Sequence, residues 1–170
     1  MNKHTKRFFT IGDDSCFIFG PRGTGKSTWV KDHLLDCFII NLLDEKTYHR
    51  YLANPGFIKE IVLGNQGKFD TFVVDEIQKI PSILDSVHDL IESDKSLRFV
   101  LTGSSARKLK RAGVNLLAGR AVLKKMHPFM AAEMGVVFDL QRALQFGMLP
   151  LIVDAANVTG VPGHIAPVGL

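Results

Sequence analysis

Cysteine is scarce: Cys16 and Cys37 are the only two in 170 residues. Two thiols so far apart build no disulfide framework, and neither belongs to a CxxC pair. The six histidines stand singly, with no HxxxH spacing. No metal-ligand pattern is present, and each histidine reads as a surface or core residue. Long apolar runs are missing too. The opening "MNKHTKRFFTIGDDSCFIFG" starts basic, but Gly12, Asp13 and Asp14 interrupt it before a signal-peptide core can form. Nothing nears the roughly 18 residues of a spanning helix, so the expected setting is the cytoplasm, with no membrane partner. Neither sign of charge dominates: 21 Lys and Arg against 17 Asp and Glu give a formal net charge of +4. That balance suits nucleic acid or phosphate-bearing ligands without choosing between them. The end of the chain is poorest of all in charge, with Asp154 the one formally charged residue in 146–170.

What is present is a globular composition, 46% hydrophobic and 22% charged, in which β-branched and aromatic runs alternate with helical periodicity. That alternation predicts an α/β domain with a mainly parallel sheet. Strands are expected at 16–20 ("CFIFG"), 37–43 ("CFIINLL"), 70–75 ("DTFVVD"), 97–103 ("LRFVLTG") and 120–126 ("RAVLKKM"). All but the last are near-continuous apolar runs, as strands covered on both faces should be. In "PSILDSVHDLIES" the residues Ile83, Leu84, Val87, Leu90 and Ile91 share one helical face, with Pro81 in the first turn. The "NPG" at 54–56 divides a helix carrying Tyr48, Tyr51 and Leu52 on one side from one carrying Phe57, Ile58, Ile61 and Val62.

Between the first expected strand and the helix "KSTWVKDHLL" lies "GPRGTGKS", Gly20 to Ser27, which fits GxxxxGK[ST] in the strand-to-helix context that this phosphate loop needs. Gly20, Pro21, Arg22, Gly23, Thr24, Gly25, Lys26, Ser27 and Thr28 are the expected nucleotide-binding residues. Glycines at 23 and 25 allow backbone N–H groups to turn inward onto a β-phosphate, and the helix behind adds the positive end of its dipole. Lys26 suits a bridge between β- and γ-phosphate oxygens, Ser27 a hydroxyl ligand to Mg²⁺, and Thr28 an α-phosphate contact. The competing reading of this stretch is a glycine-rich turn and nothing more.

In "TFVVDEIQ" an apolar strand ends in Asp75 and Glu76, a Walker B pattern. Asp75 is the expected oxygen ligand in the Mg²⁺ shell, and Glu76 the group that orients or deprotonates an attacking water. Alternatively both acids cap the next helix. The strand "FVLTGSS" opens into Thr102, Ser104 and Ser105; Ser104 either senses the γ-phosphate or caps the helix "ARKLKRAG". The run "RKLKR", 107–111, reads as a nucleic-acid grip or as a solvated helix face.

Together "FIFGPRGTGKST", "VVDEIQKIPSILDSVHDLIE", "FVLTGSSARKLKRAGVNLLAGRA" and "HPFMAAEMG" resemble a prokaryotic AAA-type P-loop ATPase family of the AAA+ superfamily, largely uncharacterised, whose members usually carry an additional C-terminal domain. The resemblance spans about residues 6–150. It implies a five-stranded parallel sheet in the order 5-1-4-3-2 with helices on both faces, and ATP and Mg²⁺ as ligands. It also gives Walker roles to Lys26, Ser27, Asp75 and Glu76, and the sensor-1 position to Ser104. Arg120 falls where related ATPases place an arginine finger for a neighbouring subunit, a role that implies a homo-oligomer; anchoring the local turn is the alternative.

The resulting expectation is an ATPase domain over 1–150, followed by a poorly patterned tail over 151–170 read as the remnant of a truncated C-terminal domain. The expected activity is Mg-dependent ATP hydrolysis. The alternatives are an ATP-binding switch or remnant with negligible turnover, and a nucleic-acid-binding module. A nucleic-acid or protein partner is compatible with each.

Overall fold

The computed structural model describes residues 5–106, 109 and 117–153. Five described strands, β1 (Cys16–Phe19), β2 (Cys37–Asn41), β3 (Thr71–Asp75), β4 (Arg98–Gly103) and β5 (Val122–Lys125), form one sheet in the order β2-β3-β4-β1-β5. Every pairing is parallel, with Phe17 beside Leu101 and Leu123, and Val73 beside Ile39 and Val100. This is the expected order, counted from the other edge. The strand centres are correct, and each observed strand is shorter by one or two residues at one or both ends.

Helices cover both faces because successive strand residues point to opposite sides. Phe17, Phe19, Phe72, Val74, Phe99 and Leu101 face one way, into a core closed by α2 (Glu45–Ala53), α3 (Phe57–Gly64) and α4 (Ile83–Ser93). Cys16, Ile18, Val73 and Val100 face the other way, onto Trp29 and Val30 of α1 (Lys26–His33) and onto Phe9 and Ile11 of the N-terminal arm. The α4 stripe behaves as its spacing predicts: Ile83, Leu84, Val87, Leu90 and Ile91 are buried, while Asp85, Asp89 and Glu92 are exposed. Pro81 lies just ahead of the first helical turn, its carbonyl accepting from Leu84 N–H at 3.0 Å.

Two expectations need correction. The run 37–43 was expected to be covered on both faces, yet β2 ends at Asn41 and is an edge strand with Ile39 exposed. Leu42 beyond it is fully buried because, two residues on from Ile40, it shares that residue's core-facing side, and its N–H still bonds to Asp75 O at 3.1 Å. On α2 Tyr51 is buried, but Leu52 is exposed and does not share its face.

Past β5 the chain forms short helices, α5 (Ala131–Met134) and α6 (Leu140–Phe146). The arm fastens to this region: Phe8 N–H donates to Glu133 Oε1 at 2.7 Å, Arg7 Nε lies 3.5 Å from the same oxygen, and the Arg7 guanidinium sits 4.5 Å above the Phe129 ring. Among the described residues no helix is long and apolar enough to cross a membrane. Most of the helix expected at 106–113, the charged residues of the run 107–111, and the tail beyond Val153 lie outside the described residues.

Candidate functional site

Parallel strands deliver all their carboxyl ends to one edge, which is where α/β folds assemble sites. Here β1 runs into Gly20, β3 ends at Asp75, and β4, lying between them, ends at Thr102 and Gly103. The Gly20 N–H donates to Gly103 O at 3.2 Å, so the loop leaves β1 in register with β4.

The loop curls as its glycines permit. Gly23 and Gly25 have φ of 81° and 85°, left-handed values that cost a side-chain-bearing residue roughly 1 kcal/mol or more. Thr24 is buried and closes the turn, its hydroxyl donating to Pro21 O at 2.9 Å. Lys26, also buried, folds back into the curl: Nζ donates to Gly20 O at 2.7 Å and to Pro21 O at 3.0 Å. Burial pulls the Lys26 ammonium below its usual value, while the Glu76 and Asp75 carboxylates push it back up and Arg22 draws it down. A cation so placed, desolvated and facing carbonyl oxygens, is suited to a multiply charged anion. Pro21, Arg22 and Thr28 are exposed on the rim.

Asp75 joins the loop to the strand ends. Ser27 Oγ donates to Asp75 Oδ2 at 2.7 Å, linking positions 48 residues apart. The other carboxylate oxygen accepts from the Thr102 hydroxyl, which in turn accepts from Glu76 N–H at 3.1 Å. Thr102, on the strand between, is fully buried and holds both acids. A hydroxyl and a carboxylate side by side are the hard oxygen donors that magnesium takes alongside phosphate and water, so the residues present fit that ion.

Glu76 is buried and sits at φ 62°, ψ 45°, a left-handed conformation unusual for a glutamate. It does not cap the 3-10 turn Ile77–Lys79 that follows, because no side-chain cap bond forms there. Its carboxylate instead accepts from Gln78 Nε2, which also donates to Ser104 Oγ at 3.2 Å.

Lys26, Ser27, Asp75, Glu76 and Ser104 thus gather at one sheet edge, as the sequence suggested. Arg120 does not. It precedes β5 at the opposite end of the sheet, where Val122 pairs with Cys16, and its Nε donates to Glu92 Oε1 of α4. That bond holds the Glu92 carboxyl below its usual range, with Lys95 contributing.

Three contributors went unread in the sequence. Thr102 reads in the sequence only as a polar strand end, Gln78 is not singled out by any pattern, and 149–150 are simply the last two residues of the domain expected over 1–150. The structure seats Leu149 and Pro150 beside the loop: a Cβ on Gly23 would lie 3.8 Å from a Leu149 methyl, and one on Gly25 would lie 3.7 Å from Pro150 Cγ. A bond of 2.8 Å from Phe129 N–H to Met148 O fixes the segment there. The strand-end position of Thr102 and the adjacency of Gln78 to the acidic pair were the available signals; nothing local marked 149–150.

A search of the curated proteins finds no match. A family model described as an AAA domain matches residues 13–135, well over half of the chain. Because that span runs from just ahead of β1 to beyond β5 and so takes in the whole sheet, the chain belongs to the AAA domain family.

Proposed function

We propose that this chain binds ATP with Mg²⁺ at the edge formed by β1, β3 and β4 and hydrolyses it to ADP and phosphate. The observation that carries the reading is the 2.7 Å bond between Ser27 and Asp75. It puts the loop's hydroxyl against the carboxylate of a distant strand, next to a buried lysine, as a magnesium triphosphate would require. The AAA domain match supports it independently.

In this reading the N–H groups of the loop at 23–27 and Lys26 bind the phosphates. Ser27 and Asp75 would hold the metal, which would supply positive charge against the phosphates. Glu76 accepts a proton from water as the water oxygen bonds to the γ-phosphorus; the bond from that phosphorus to the ADP oxygen breaks. Positioning and electrostatics supply most of the acceleration in such transfers. Ser104 hydrogen-bonds the γ-phosphate or the water.

Arg120 lies at the far end of the sheet from its own loop, so its role as a finger is exercised on a neighbouring copy in a homo-oligomer, after leaving Glu92. A cation supplied in this way accelerates hydrolysis by about 10³ to 10⁵ in related chemistry. An isolated chain is therefore a slow ATPase that holds its nucleotide, and assembly is what speeds it.

The test is Glu76→Gln. Mg-ATP binding is retained while phosphate release falls to the buffer rate. Normal turnover by that variant rules out the role given to Glu76.

A further inference from the structure

One amide group at this sheet edge links two of the gathered side chains. Gln78, on the 3-10 turn after β3, gives both Nε2 hydrogens to functional groups: one to the Glu76 carboxylate, the other to Ser104 Oγ at 3.2 Å. Its Oε1 is buried and has no hydrogen-bond partner among the described residues. The carboxylate dictates that orientation. A carboxylate can only accept, so it takes the NH₂ end and leaves the carbonyl end without a donor.

The seat for this amide is provided by Gly103. A Cβ there would lie 2.6 Å from Gln78 Oε1 and 3.1 Å from the Phe19 ring. Only a residue without a side chain lets the amide settle against the end of β4. Two strand ends are thereby coupled through a single planar group. Displacing Ser104 Oγ from Gln78 rotates or frees the amide, and with it the Glu76 carboxylate.

We propose that Gln78 is a positioning residue that transmits the state of Ser104 to Glu76: when Ser104 engages the γ-phosphate, the amide it shares with Glu76 is released to re-aim the carboxylate at the attacking water. This rests on the reading of Glu76 as the water-activating group. Gln78 touches neither nucleotide nor water in this scheme; it acts by fixing where Glu76 points. In its absence the carboxylate adopts several aims, and a misplacement of about 1 Å is worth on the order of a hundredfold in rate.

The experiment uses the full chain and two variants, Gln78→Met, which keeps length and removes both donors, and Gly103→Ala, which pushes the amide from its seat without altering it. Three readouts are taken: Mg-ATP affinity, single-turnover hydrolysis, and the Gln78 side-chain amide signals in ¹⁵N NMR, identified by their loss in Gln78→Met. The expected result is unchanged affinity with single-turnover rates lowered about tenfold to a hundredfold. In nucleotide-free wild type the two amide hydrogens give dispersed signals, and Ser104→Ala and Glu76→Gln each move them.

A Gln78→Met variant hydrolysing ATP within about twofold of wild type overturns the proposal. So do amide signals that ignore both substitutions. If Gln78→Met does not fold, single-turnover hydrolysis by Gly103→Ala decides alone, and a rate within about twofold of wild type overturns the proposal. If Glu76→Gln itself turns over normally, the base assignment fails first, and the inference falls with it for that separate reason.

Discussion

Replacing Thr102 by valine tests the junction on which the whole site is built. Valine is nearly the shape of threonine, so packing at this fully buried position survives while the hydroxyl is lost. That hydroxyl donates to Asp75 Oδ1 and accepts from Glu76 N–H at 3.1 Å. Its removal orphans one acceptor and one donor, each in a residue under a tenth exposed. A buried group left without a partner costs about 1–3 kcal/mol. Two such losses, less a small gain of up to about 1 kcal/mol from the added methyl, come to about 1–5 kcal/mol.

The left-handed Glu76 backbone adds to the sensitivity, because a conformation of that kind persists only where its surroundings hold it. In urea denaturation, with a slope of about 2 kcal/mol per molar for a domain of this size, the midpoint drops by about 0.5–2.5 M. Thr102→Ser keeps both hydrogen bonds and removes one methyl, costing about 1 kcal/mol. The reasoning is refuted if the valine variant matches wild type within about 0.5 kcal/mol, or if serine is as damaging as valine.

Two further outcomes follow from the same edge and from the core beneath it. Gly20→Ala would place a Cβ 2.1 Å from the carbonyl oxygen of Met126, the residue just past β5 whose own N–H is held by Phe19 O at 2.7 Å. It should lower stability by about 1–3 kcal/mol in thermal melts, whereas Gly12→Ala, with nothing within 4 Å, should be near neutral. Equal melting of the two variants would contradict the close crossing of loop and β5. Cys16 titrates in the core: burial raises its thiol from 9.0 to about 11. Between those values the unfolded chain has released the proton that the folded chain keeps, so stability falls as pH rises from 9 towards 11. At about 1.4 kcal/mol per pH unit the ceiling of that loss is about 3 kcal/mol. Urea midpoints taken from pH 8 to 11 should fall less steeply for Cys16→Ala than for wild type, and parallel curves would remove Cys16 as the cause.

What the sequence made legible was whatever local pattern encodes. The runs at β1, β3 and β4 are apolar because both of their faces are buried, and they were correctly placed. The run at β2 looks the same in sequence yet lies at an edge with Ile39 exposed. Strand order, which decides edge or centre, is set by pairing between segments far apart in the chain. The loop and the acidic pair were readable for a similar reason, since each is a contiguous motif. Thr102 and Gln78 gain their roles from partners 26 residues distant in sequence, at which the strand end and the neighbouring acidic pair only hint, and the approach of 149–150 to the loop is announced by no local spacing. Arg120 shows the converse: its context resembles a finger, but only the parallel pairing of β5 with β1 reveals that it stands at the far end from its own loop.

The most direct measurement is a calorimetric titration of the folded chain with ATP, with and without Mg²⁺, alongside Lys26→Ala. The account predicts one site per chain, tightened by Mg²⁺ and lost in the lysine variant. Binding of equal strength by Lys26→Ala, or no heat at all from the folded wild type, would contradict it.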